Sequence, residues 1–409
     1  MRFLVLIISL FSLQACASEA SSNGKLVIAG GAIRSDNQAL YEALINAMPK
    51  QDGKVVIIPV ASGKPLKSAN AFSKDLVRYG LDEKQISIFP LAVTDDSTTD
   101  FDERKWKDNA FDEEKVAQIK DASAIWFTGG DQMRIIDSIR PSKDEPSPLL
   151  KELKLLLKHG AVIGGTSAGA AMMSETMIAA GDSFSAITQP QSDQYYGMET
   201  QEQGQLYLHH GLGFFEYGIV DQHFDRKARL GRLVKTLADQ ETKMGYAVDE
   251  DTAMVVDLEK QTISAVGAGN ITIVDATSAQ VNYEPFDAQN IYVSLLSSGD
   301  EYDIRKQALL NVKNLTIGSE YFSEAAKQGA GMAVANHRLA HLLGYELLDN
   351  KANSEIRRYS FNESGKGILY RFSQSKQSEG YWRTNGTQDQ YSIINVRMDI
   401  EPVSISINQ

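Results

Sequence analysis

The sequence predicts an α/β fold in which a mostly parallel sheet is buried between helices. Two observations carry this prediction. Short apolar runs alternate along the chain with segments that have the spacing of amphipathic helices. The runs are apolar at every position rather than at every second one, which is typical of strands covered on both faces. In such a sheet, ligands are expected at the carboxyl ends of the strands.

The elements of this sheet follow in order from residue 25. We predict strands at 26–29, 55–59, 85–89, 124–127 and 161–164. Helices are predicted at 36–48, ended by Pro49, at 69–79, ended by Gly80, and at 149–158. A fourth helix is predicted at 170–178, directly after a glycine-rich turn. These segments and the strands described next are assigned to one domain, residues 25–282.

The pattern changes after Glu250. Closely spaced runs at 254–257, 262–266 and 271–275 are typical of antiparallel strands. Residues 283–409 are predicted to form a C-terminal α+β extension, with a helix at 323–343 stopped by Gly344 and strands at 391–397 and 403–407. No motif in the extension points to chemistry, so its role is left open.

The N-terminus has the features of an export signal rather than of the fold. Met1 and Arg2 precede an apolar run at 3–13, which is too short to span a bilayer. Residues 13–16 resemble the bacterial lipobox, and Cys16 is the only cysteine. We therefore expect a lipoprotein-type signal peptide at 1–16, lipid on Cys16, a linker at 17–24 and a membrane-anchored protein in the periplasm or on the cell surface. The alternative is a plain cleaved signal and a secreted protein.

Composition excludes one class of partner. With 43% hydrophobic and 23% charged residues the chain reads as an ordinary soluble globular protein. Its formal net charge of −12 argues against nucleic acid, because phosphate binding needs a basic surface. A cationic substrate is compatible with this charge.

A candidate nucleophile lies in the turn between the strand at 161–164 and the helix predicted after it. Gly165-Thr166-Ser167-Ala168-Gly169 fits G-x-S-x-G, a tight turn that presents a serine hydroxyl at a helix N-terminus. The backbone N–H of Ala168 is then placed to stabilise an oxyanion. A purely structural glycine-rich turn is the alternative.

A serine nucleophile needs a base, and six histidines are available. His159 ends a helix, and His337 and His341 have helical spacing without a third metal ligand, so an ordinary helix surface is favoured for that pair. His209 and His210 lie in a loop and rival the favoured candidate, His223. A short apolar strand delivers His223, and a basic segment follows it.

The third group of such a triad is a carboxylate that orients the imidazole. Asp249, Glu250 and Asp251 stand in a row after a strand-like approach. Their spacing does not choose among them.

Four blocks of sequence together resemble the cyanophycinase family. They are 127–132, which includes Gly129, Gly130, Asp131 and Gln132; 165–170; Asp221-Gln222-His223-Phe224 with 231–233; and 249–253. The resemblance spans about residues 25–274. It implies the three-layer αβα sandwich shared with aspartyl dipeptidases and class I glutamine amidotransferase-like proteins, with a triad of Ser167, His223 and Glu250.

The resemblance also implies a function. The family hydrolyses cyanophycin, an aspartate polymer that carries arginine on its β-carboxyls, to β-aspartyl-arginine dipeptides, without metal or organic cofactor. The resemblance implies that Asp221, Gln222, Arg229 and Arg232 bind substrate. We also expect Gly129, Gly130, Asp131 and Gln132 to contribute to the oxyanion and substrate sites. A homodimer stays open.

Two features separate this chain from the family pattern. Lys227 stands where arginine is expected, and lysine lacks the bidentate fork of a guanidinium. The segment 181–211 is also longer than in compact members. Two alternative functions therefore stay open: a related isoaspartyl or aspartyl dipeptidase, and a lipid-anchored binding protein without turnover.

Overall fold

The structure is a computed structural model that describes residues 23–312, 314–326, 328–329, 338–384 and 389–406. The predicted signal peptide, Cys16, residues 17–22 of the linker and His337 lie outside these residues. Among the helices of the described part of the chain, none is long and apolar enough to cross a membrane.

Strands and helices alternate in the first half of the chain, and strands dominate the second half. The strands are β1 (Lys25–Ala29), β2 (Lys54–Ile58), β3 (Ile86–Ile88), β4 (Ala122–Phe127), β5 (Val162–Thr166), β6 (Thr176–Ala180), β7 (Tyr207–His210), β8 (Ile219–Gln222), β9 (Met244–Val248), β10 (Thr252–Asp257), β11 (Thr262–Gly267), β12 (Asn270–Asp275), β13 (Gln280–Tyr283), β14 (Phe286–Ser297), β15 (Glu301–Asp303), β16 (Ala308–Leu309), β17 (Glu355–Phe361), β18 (Lys366–Ser373), β19 (Glu379–Thr384) and β20 (Asp389–Ser404).

The helices are α1 (Gln38–Ala47), α2 (Pro65–Arg78), α3 (Glu113–Ala117), α4 (Gln132–Ile139), α5 (Pro148–Lys158), α6 (Ala168–Ala171), α7 (Ser183–Thr188) and α8 (Leu230–Asp239). Short 3-10 helices lie at Glu83–Gln85, Glu103–Trp106, Asn109–Phe111 and Met198–Gln201. A π-helix lies at His341–Leu348.

The predicted parallel sheet is present. Its strands β1, β5, β4, β2 and β3 are hydrogen-bonded in that order and are parallel. β10, β11, β15 and β16 continue the same sheet from β1 as antiparallel strands. The α/β class is therefore confirmed, with antiparallel strands making up one half of this sheet.

Alternate residues of the parallel strands enter different cores, as expected for a sheet covered on both faces. On one face, side chains such as Val27, Val55 and Trp126 pack with α1 and α2. On the other face, Leu26, Val56 and Ile125 pack in a core that α4 and α5 also supply. The helices on both faces exclude water from most residues of β1, β2, β4 and β5, which explains the apolar runs there, whereas Ser87 of the edge strand β3 is exposed.

A second sheet, which the sequence did not predict, packs beyond this core. Its main path is β17-β18-β20-β14-β12-β9-β8, with β13 paired to β14 and β19 paired to β20. One face supplies Val220 and Ile271 to the core shared with the first sheet. The other face packs against α8 and the helical segment at 341–348. β8 and β9 are parallel neighbours, so their carboxyl ends meet at one edge.

The helix predicted at 170–178 is wrong beyond its first turn. α6 ends at Ala171, and residues 176–180 form β6, which pairs with β7. Thr176 and Ile178 are β-branched, and their pairing with β7 outweighs the helical spacing of the apolar residues.

The C-terminal helix predicted at 323–343 is confirmed at residues 339–343 and is wrong for the described residues before 330. The described residues from 323 to 329 are not helical, and the helical segment at 341–348 runs through Gly344 instead of stopping there. A Cβ on Gly344 would lie 2.3 Å from Cγ of Tyr391. This glycine permits close approach of a ring and does not act as a stop signal.

The domain boundary predicted at 282/283 stays a prediction. In the structure β13 and β14 pair as a hairpin, and β14 is hydrogen-bonded to β12 on one side and β20 on the other. The second sheet therefore contains strands from both sides of that boundary.

Candidate active site

Three consecutive backbone carbonyls at the end of β1 hold the three loops that carry the predicted triad. The carbonyl of Ala29 accepts from the amide of Ser167 at 3.0 Å, and that of Gly30 accepts from the amide of His223 at 2.8 Å. The carbonyl of Gly31 accepts from the amide of Asp251 at 2.8 Å, the residue after Glu250. One strand end thus fixes the relative positions of loops that come from both sheets.

Ser167 lies in the turn between β5 and α6. Its backbone has φ 55° and ψ −109°, a region that non-glycine residues rarely adopt and that costs of the order of 1–3 kcal/mol. Ser167 precedes the first residue of α6, so its hydroxyl stands where the strand ends and the helix begins. This is the strained elbow that the G-x-S-x-G pattern predicts.

The side chains of Ser167, His223 and Glu250 form a continuous chain of hydrogen bonds. Ser167 Oγ lies 2.9 Å from Nε2 of His223, and Nδ1 of His223 lies 2.6 Å from Oε1 of Glu250. His223 follows β8 directly and Glu250 follows β9 by two residues, so these parallel neighbours bring base and acid together. This geometry can withdraw the serine proton during nucleophilic attack.

The other two acids of the row bind the backbone of neighbouring loops. Asp249 accepts from the amides of Asp225 and Asn270, both at 3.0 Å. Asp251 Oδ1 accepts from the amide of Arg34 at 2.9 Å. Among the described residues, Glu250 is the acid whose side chain is hydrogen-bonded to His223.

Arg226 forms a contact with Glu250 that the sequence analysis missed. Its Nε lies 2.5 Å from Oε2 of Glu250, the oxygen that does not face His223. Both carboxylate oxygens are therefore engaged, which restricts rotation of the carboxylate. The sequence placed Arg226 beside Lys227 but carried no signal for this partner. Lys227 instead forms an ion pair with Glu202.

The surroundings of the triad favour a neutral imidazole and an ionised carboxylate. Burial lowers the pKa of His223 to about 4, aided by the charges of Lys227 and Arg229 and opposed by Glu250. Burial alone would raise the pKa of Glu250, but hydrogen bonds from Arg226 and His223 bring it below its usual value. A neutral histidine next to a serine is ready to act as a base.

We therefore expect the acid limb of the pH profile of kcat/KM to have its midpoint near the His223 pKa of about 4, rather than near the ordinary value of 6.5. The measurement is kcat/KM across the acid and neutral range, with folding checked at each pH. Lys227→Gln should move the midpoint upward, because it removes a charge that lowers the histidine pKa. A midpoint near 6.5 in the wild type would contradict the burial argument.

The lowered pKa of His223 also makes the free energy of unfolding depend on pH. His223 binds a proton less readily folded than unfolded, so its contribution to the free energy of unfolding is fully present above about pH 6.5. It is lost as the pH falls toward the folded pKa of about 4.

The turn at Gly129 and Gly130 lies against the nucleophile. A Cβ on Gly129 would be 3.2 Å from Cβ of Ser167. Asp131 begins α4, where it accepts from the amide of Met133 at 2.9 Å. The structure thus brings this turn to Ser167, and its predicted role in holding the oxyanion stays a prediction.

Asp131 and Gln132 have partners that the sequence did not indicate. The hydroxyl of Tyr195 donates to Oδ1 of Asp131 at 2.9 Å and accepts from Nε2 of Gln201 at 3.0 Å. Gln132 donates from Nε2 to the carbonyl of Ala179. Tyr195 and Gln201 belong to the long segment 181–211, which therefore contacts the predicted substrate residues directly.

Asp221 and Arg232 form an ion pair buried beneath the triad. Arg232 donates from Nε and Nη2 to the two carboxylate oxygens at 2.9 and 2.5 Å, and both residues are 1% exposed. Arg232 also donates to the carbonyl of Gly181 at 2.7 Å. Arg229, 3% exposed, donates to the carbonyl of Gln222 at 2.6 Å. These four predicted binding residues are close together and buried. Asp221, Arg229 and Arg232 bind protein groups, whereas Oε1 of Gln222 is buried without a hydrogen-bond partner in the described part of the chain.

This burial favours an indirect role for the pair, in which Asp221 and Arg232 support the β8 end from which His223 projects. Their predicted direct contact with substrate stays untested. Helix α8 begins at Leu230, so the basic segment after His223 is a turn at 226–229 and becomes helical only at Leu230.

We expect Asp221→Asn to lower the free energy of unfolding by about 3–5 kcal/mol, because it leaves the Arg232 guanidinium buried without its counter-charge. Denaturant unfolding measures the change. Asp36→Asn is the matched control, since Asp36 also pairs with an arginine Nε, that of Arg34, at 2.9 Å, but the side chains of both residues are largely exposed. Equal effects of the two substitutions would contradict the interpretation.

The other four histidines that the structure describes do not reach Ser167. His209 and His210 belong to β7, where Nε2 of His210 lies 2.8 Å from the carbonyl of Arg140. His159 caps α5, and Nε2 of His341 lies 3.7 Å from Glu346. Within the described ranges, no group of three or more potential ligands is placed to hold a metal ion.

Comparison with known proteins identifies the family of this chain. A family model for peptidase family S51 matches residues 26–264. The chain belongs to peptidase family S51. As an S51 member it is a serine-type peptidase, which confirms the predicted family and enzyme class.

Several characterised relatives are named cyanophycinase. The S51 chain is 30% identical over 262 residues to cyanophycinase of Synechococcus elongatus, covering 62% of this chain and 70% of that protein. It is 25% identical over 307 residues to cyanophycinase of Nostoc sp., covering 73% and 91%. A solved peptidase from an acI-B1 Actinobacterium aligns with 69% of this chain and 98% of its own, at 21% identity and a TM-score of 0.44.

Proposed function

We propose that this S51 peptidase hydrolyses the aspartate-backbone peptide bonds of cyanophycin, releasing β-aspartyl-arginine, with Ser167 as nucleophile, His223 as general base and acid, and Glu250 as the orienting carboxylate. The single observation that carries the mechanism is the unbroken hydrogen-bond chain from Ser167 Oγ through His223 to Glu250. The names of the relatives support the substrate.

In the first half-reaction, Ser167 Oγ attacks a backbone α-carbonyl carbon of the aspartate chain while its proton passes to Nε2 of His223. The oxyanion that forms is met by the amide of Ala168 and by an amide of the Gly129–Gly130 turn. His223 then gives the proton to the leaving amine as the carbon–nitrogen bond breaks. An ester between Ser167 Oγ and that α-carbonyl carbon remains, and the β-amide bond to arginine stays intact.

In the second half-reaction, water takes the place of the serine hydroxyl. His223 removes a proton from the water as it attacks the ester, and returns that proton to Ser167 Oγ as the ester bond breaks. Glu250 stabilises the imidazolium that forms in both halves. Arg226 keeps the second oxygen of Glu250 occupied, so the carboxylate holds one orientation.

Substrate recognition combines groups of both signs near His223. A guanidinium on the substrate needs a carboxylate, and Glu202, whose side chain is 61% exposed, stands beside Lys227. Because the β-carboxyls of the polymer are amidated by arginine, the carboxylates it offers to cations are the α-carboxylates of those arginines. Lys227 takes the place of the expected arginine and binds as a point charge.

The experiment that tests this function compares substrates. Purified protein is incubated with cyanophycin and, separately, with isoaspartyl and N-terminal aspartyl dipeptides, and the products are identified by mass. Release of β-aspartyl-arginine from the polymer is the expected result. Cleavage of the dipeptides alone would replace cyanophycinase activity with dipeptidase activity, and no turnover of either would support a binding protein.

We also propose that the protein is exported and anchored through Cys16. The support is the apolar run at 3–13 and the lipobox-like residues that precede this cysteine. In a bacterial host, wild type should fractionate with membranes and Cys16→Ser should not. Equal fractionation of the two would remove the anchor.

A further inference from the structure

The loop that carries His223 is strained near both of its ends. It runs from His223, directly after β8, to Arg229, directly before α8. The φ angles of His223 and Ala228 are both 49°, in the left-handed region that residues other than glycine rarely adopt. Such a conformation persists only where the surroundings hold it. The contacts that hold these two residues therefore fix the position of the His223 imidazole.

Hydrogen bonds inside the loop connect its two ends. The amide of Ala228 donates to the carbonyl of Asp225 at 3.0 Å, and the amide of Arg229 donates to the carbonyl of Phe224 at 3.0 Å. Both acceptors lie within two residues of His223. A shift of the backbone at Ala228 is therefore passed on to the residues next to the base.

Ser183, the first residue of α7, holds the end of the loop at Ala228. Its hydroxyl donates to the carbonyl of Ala228 at 2.5 Å and accepts from the amide of Arg232 at 3.1 Å. Arg232 is the third residue of α8, and the first amides of a helix have no partner within the helix. Arg229, which precedes α8, has no acceptor atom in its side chain to offer them. Ser183 thus caps α8 as an N-cap side chain does, although it belongs to another helix.

Gly231 lets Ser183 come this close to α8. A Cβ on Gly231 would lie 2.9 Å from Cβ of Ser183 and 2.5 Å from the hydroxyl oxygen of Tyr370. Tyr370 belongs to β18, in the C-terminal extension. The first turn of α8 is therefore packed against both the long segment 181–211 and the extension, and its position depends on both.

We propose that Ser183 is a positioning residue: its hydroxyl holds Ala228 and the start of α8, and thereby holds the His223 imidazole in the triad. The proposal rests on the proposed function for the role of His223 as the base. It gives the long segment 181–211 a part in the reaction, through a side chain that acts on the loop of the base.

The first test is Ser183→Ala, which removes the hydroxyl and leaves the Cβ in place. We expect kcat to fall about tenfold and KM to change less than about twofold, because the base shifts by less than the distance of about 1 Å that costs about 10²-fold. Ser185→Ala is the matched control, since that hydroxyl also lies on α7 but donates to Asp182 at 2.9 Å. An unchanged kcat in Ser183→Ala, a loss confined to KM, or an equal loss in both variants would overturn the proposal.

The second test is the pH profile, which separates displacement of the base from a general loss of structure. Burial is the main cause of the low pKa of His223, about 4. The charged groups near the ring are Glu250, Lys227, Arg229 and Glu202. Ser183→Ala changes none of these groups, but it lets water reach the ring, so the acid limb of kcat/KM should move to higher pH. The midpoint in Ser185→Ala should equal that of the wild type. A lower kcat in Ser183→Ala with an unchanged midpoint would overturn the proposal.

The third test asks whether the hold on Ala228 carries the effect. Glycine adopts a φ of 49° without strain, so Ala228→Gly lets the loop keep its shape without the Ser183 hydroxyl. In the Ala228→Gly background, Ser183→Ala should lower kcat by about threefold or less. A loss of about tenfold in that background as well would overturn the proposal.

Failure of this proposal can be told apart from failure of the proposed function. A fluorophosphonate probe reacts with an activated serine by losing fluoride, so its rate of reaction with Ser167 also depends on the base. If the wild type cleaves neither cyanophycin nor the dipeptides while labelling of Ser167 still slows about tenfold in Ser183→Ala, the proposed substrate fails and the positioning of His223 stands. If the wild type cleaves cyanophycin and Ser183→Ala changes neither rate, the proposed function stands and Ser183 is not a positioning residue.

Discussion

Ser167→Ala should reduce hydrolysis of cyanophycin by about 10³-fold or more, and up to about 10⁶-fold, while the protein stays folded. The substitution removes the one oxygen that lies 2.9 Å from Nε2 of His223 and leaves the Cβ in place. The turn keeps its backbone bond from the Ser167 amide to the Ala29 carbonyl, so the elbow itself is not expected to change. Release of dipeptide, followed over time, measures the loss.

The matched control for this substitution is Ser68→Ala. Ser68 donates its hydroxyl to the carbonyl of Pro65 within the first turn of α2, in a part of the chain far from the triad in sequence. Its removal should leave kcat/KM unchanged. Thermal unfolding of both variants should match the wild type within a few degrees. Full activity of Ser167→Ala would mean that another residue is the nucleophile, and it would contradict the proposed triad.

The parallel sheet could be predicted because burial of its strands determines which residues they contain. Helices cover β1, β2, β4 and β5 on both faces, so burial leaves an apolar run at each of these strands. The second sheet could not be predicted in the same way. The run at 271–275 predicted β12, but no strand was predicted at β14, and nothing local to β14 shows that it pairs with β20, about a hundred residues later.

The candidate active site also has a part that the sequence could predict and a part that it could not. The elbow at Ser167 is a local feature of β5 and α6, so the sequence could predict it. The choice of Glu250 over Asp249 and Asp251 needed the family resemblance, because three consecutive acids have the same local environment in the sequence. The structure shows what separates them: Asp249 and Asp251 accept backbone amides, whereas Glu250 reaches His223.

Contacts between distant segments left no local signal at all. Arg226 reads as one of several basic residues, and its bond to Glu250 follows from the meeting of two loops. Tyr195 lies in a polar loop and reaches Asp131 across 64 positions of sequence. Gly31 lies just beyond the first strand, where the sequence gives it no special role. Its backbone lies so close to the His223 ring that a side chain has no room there.

Gly31→Ala is the second substitution with a large expected effect. Gly31 has φ 108°, and a Cβ placed there would lie 2.2 Å from Cε1 and 2.3 Å from Nε2 of His223. The imidazole would have to move, and a displacement of about 1 Å at a catalytic group can cost about 10²-fold. We expect a loss of kcat/KM of at least that size, measured on the same substrate as for Ser167→Ala.

Gly80→Ala separates the effect of the ring from the effect of the backbone. Gly80 has φ 104°, nearly the same as Gly31, but a Cβ there meets nothing within 4 Å. Both alanines should destabilise the fold by about 1–2 kcal/mol through the left-handed backbone. Only Gly31→Ala should also lose activity, because only there does the new methyl group occupy the space of the base. Retention of activity in both variants would show that His223 can shift without consequence, and the geometry of the triad would then not limit the reaction.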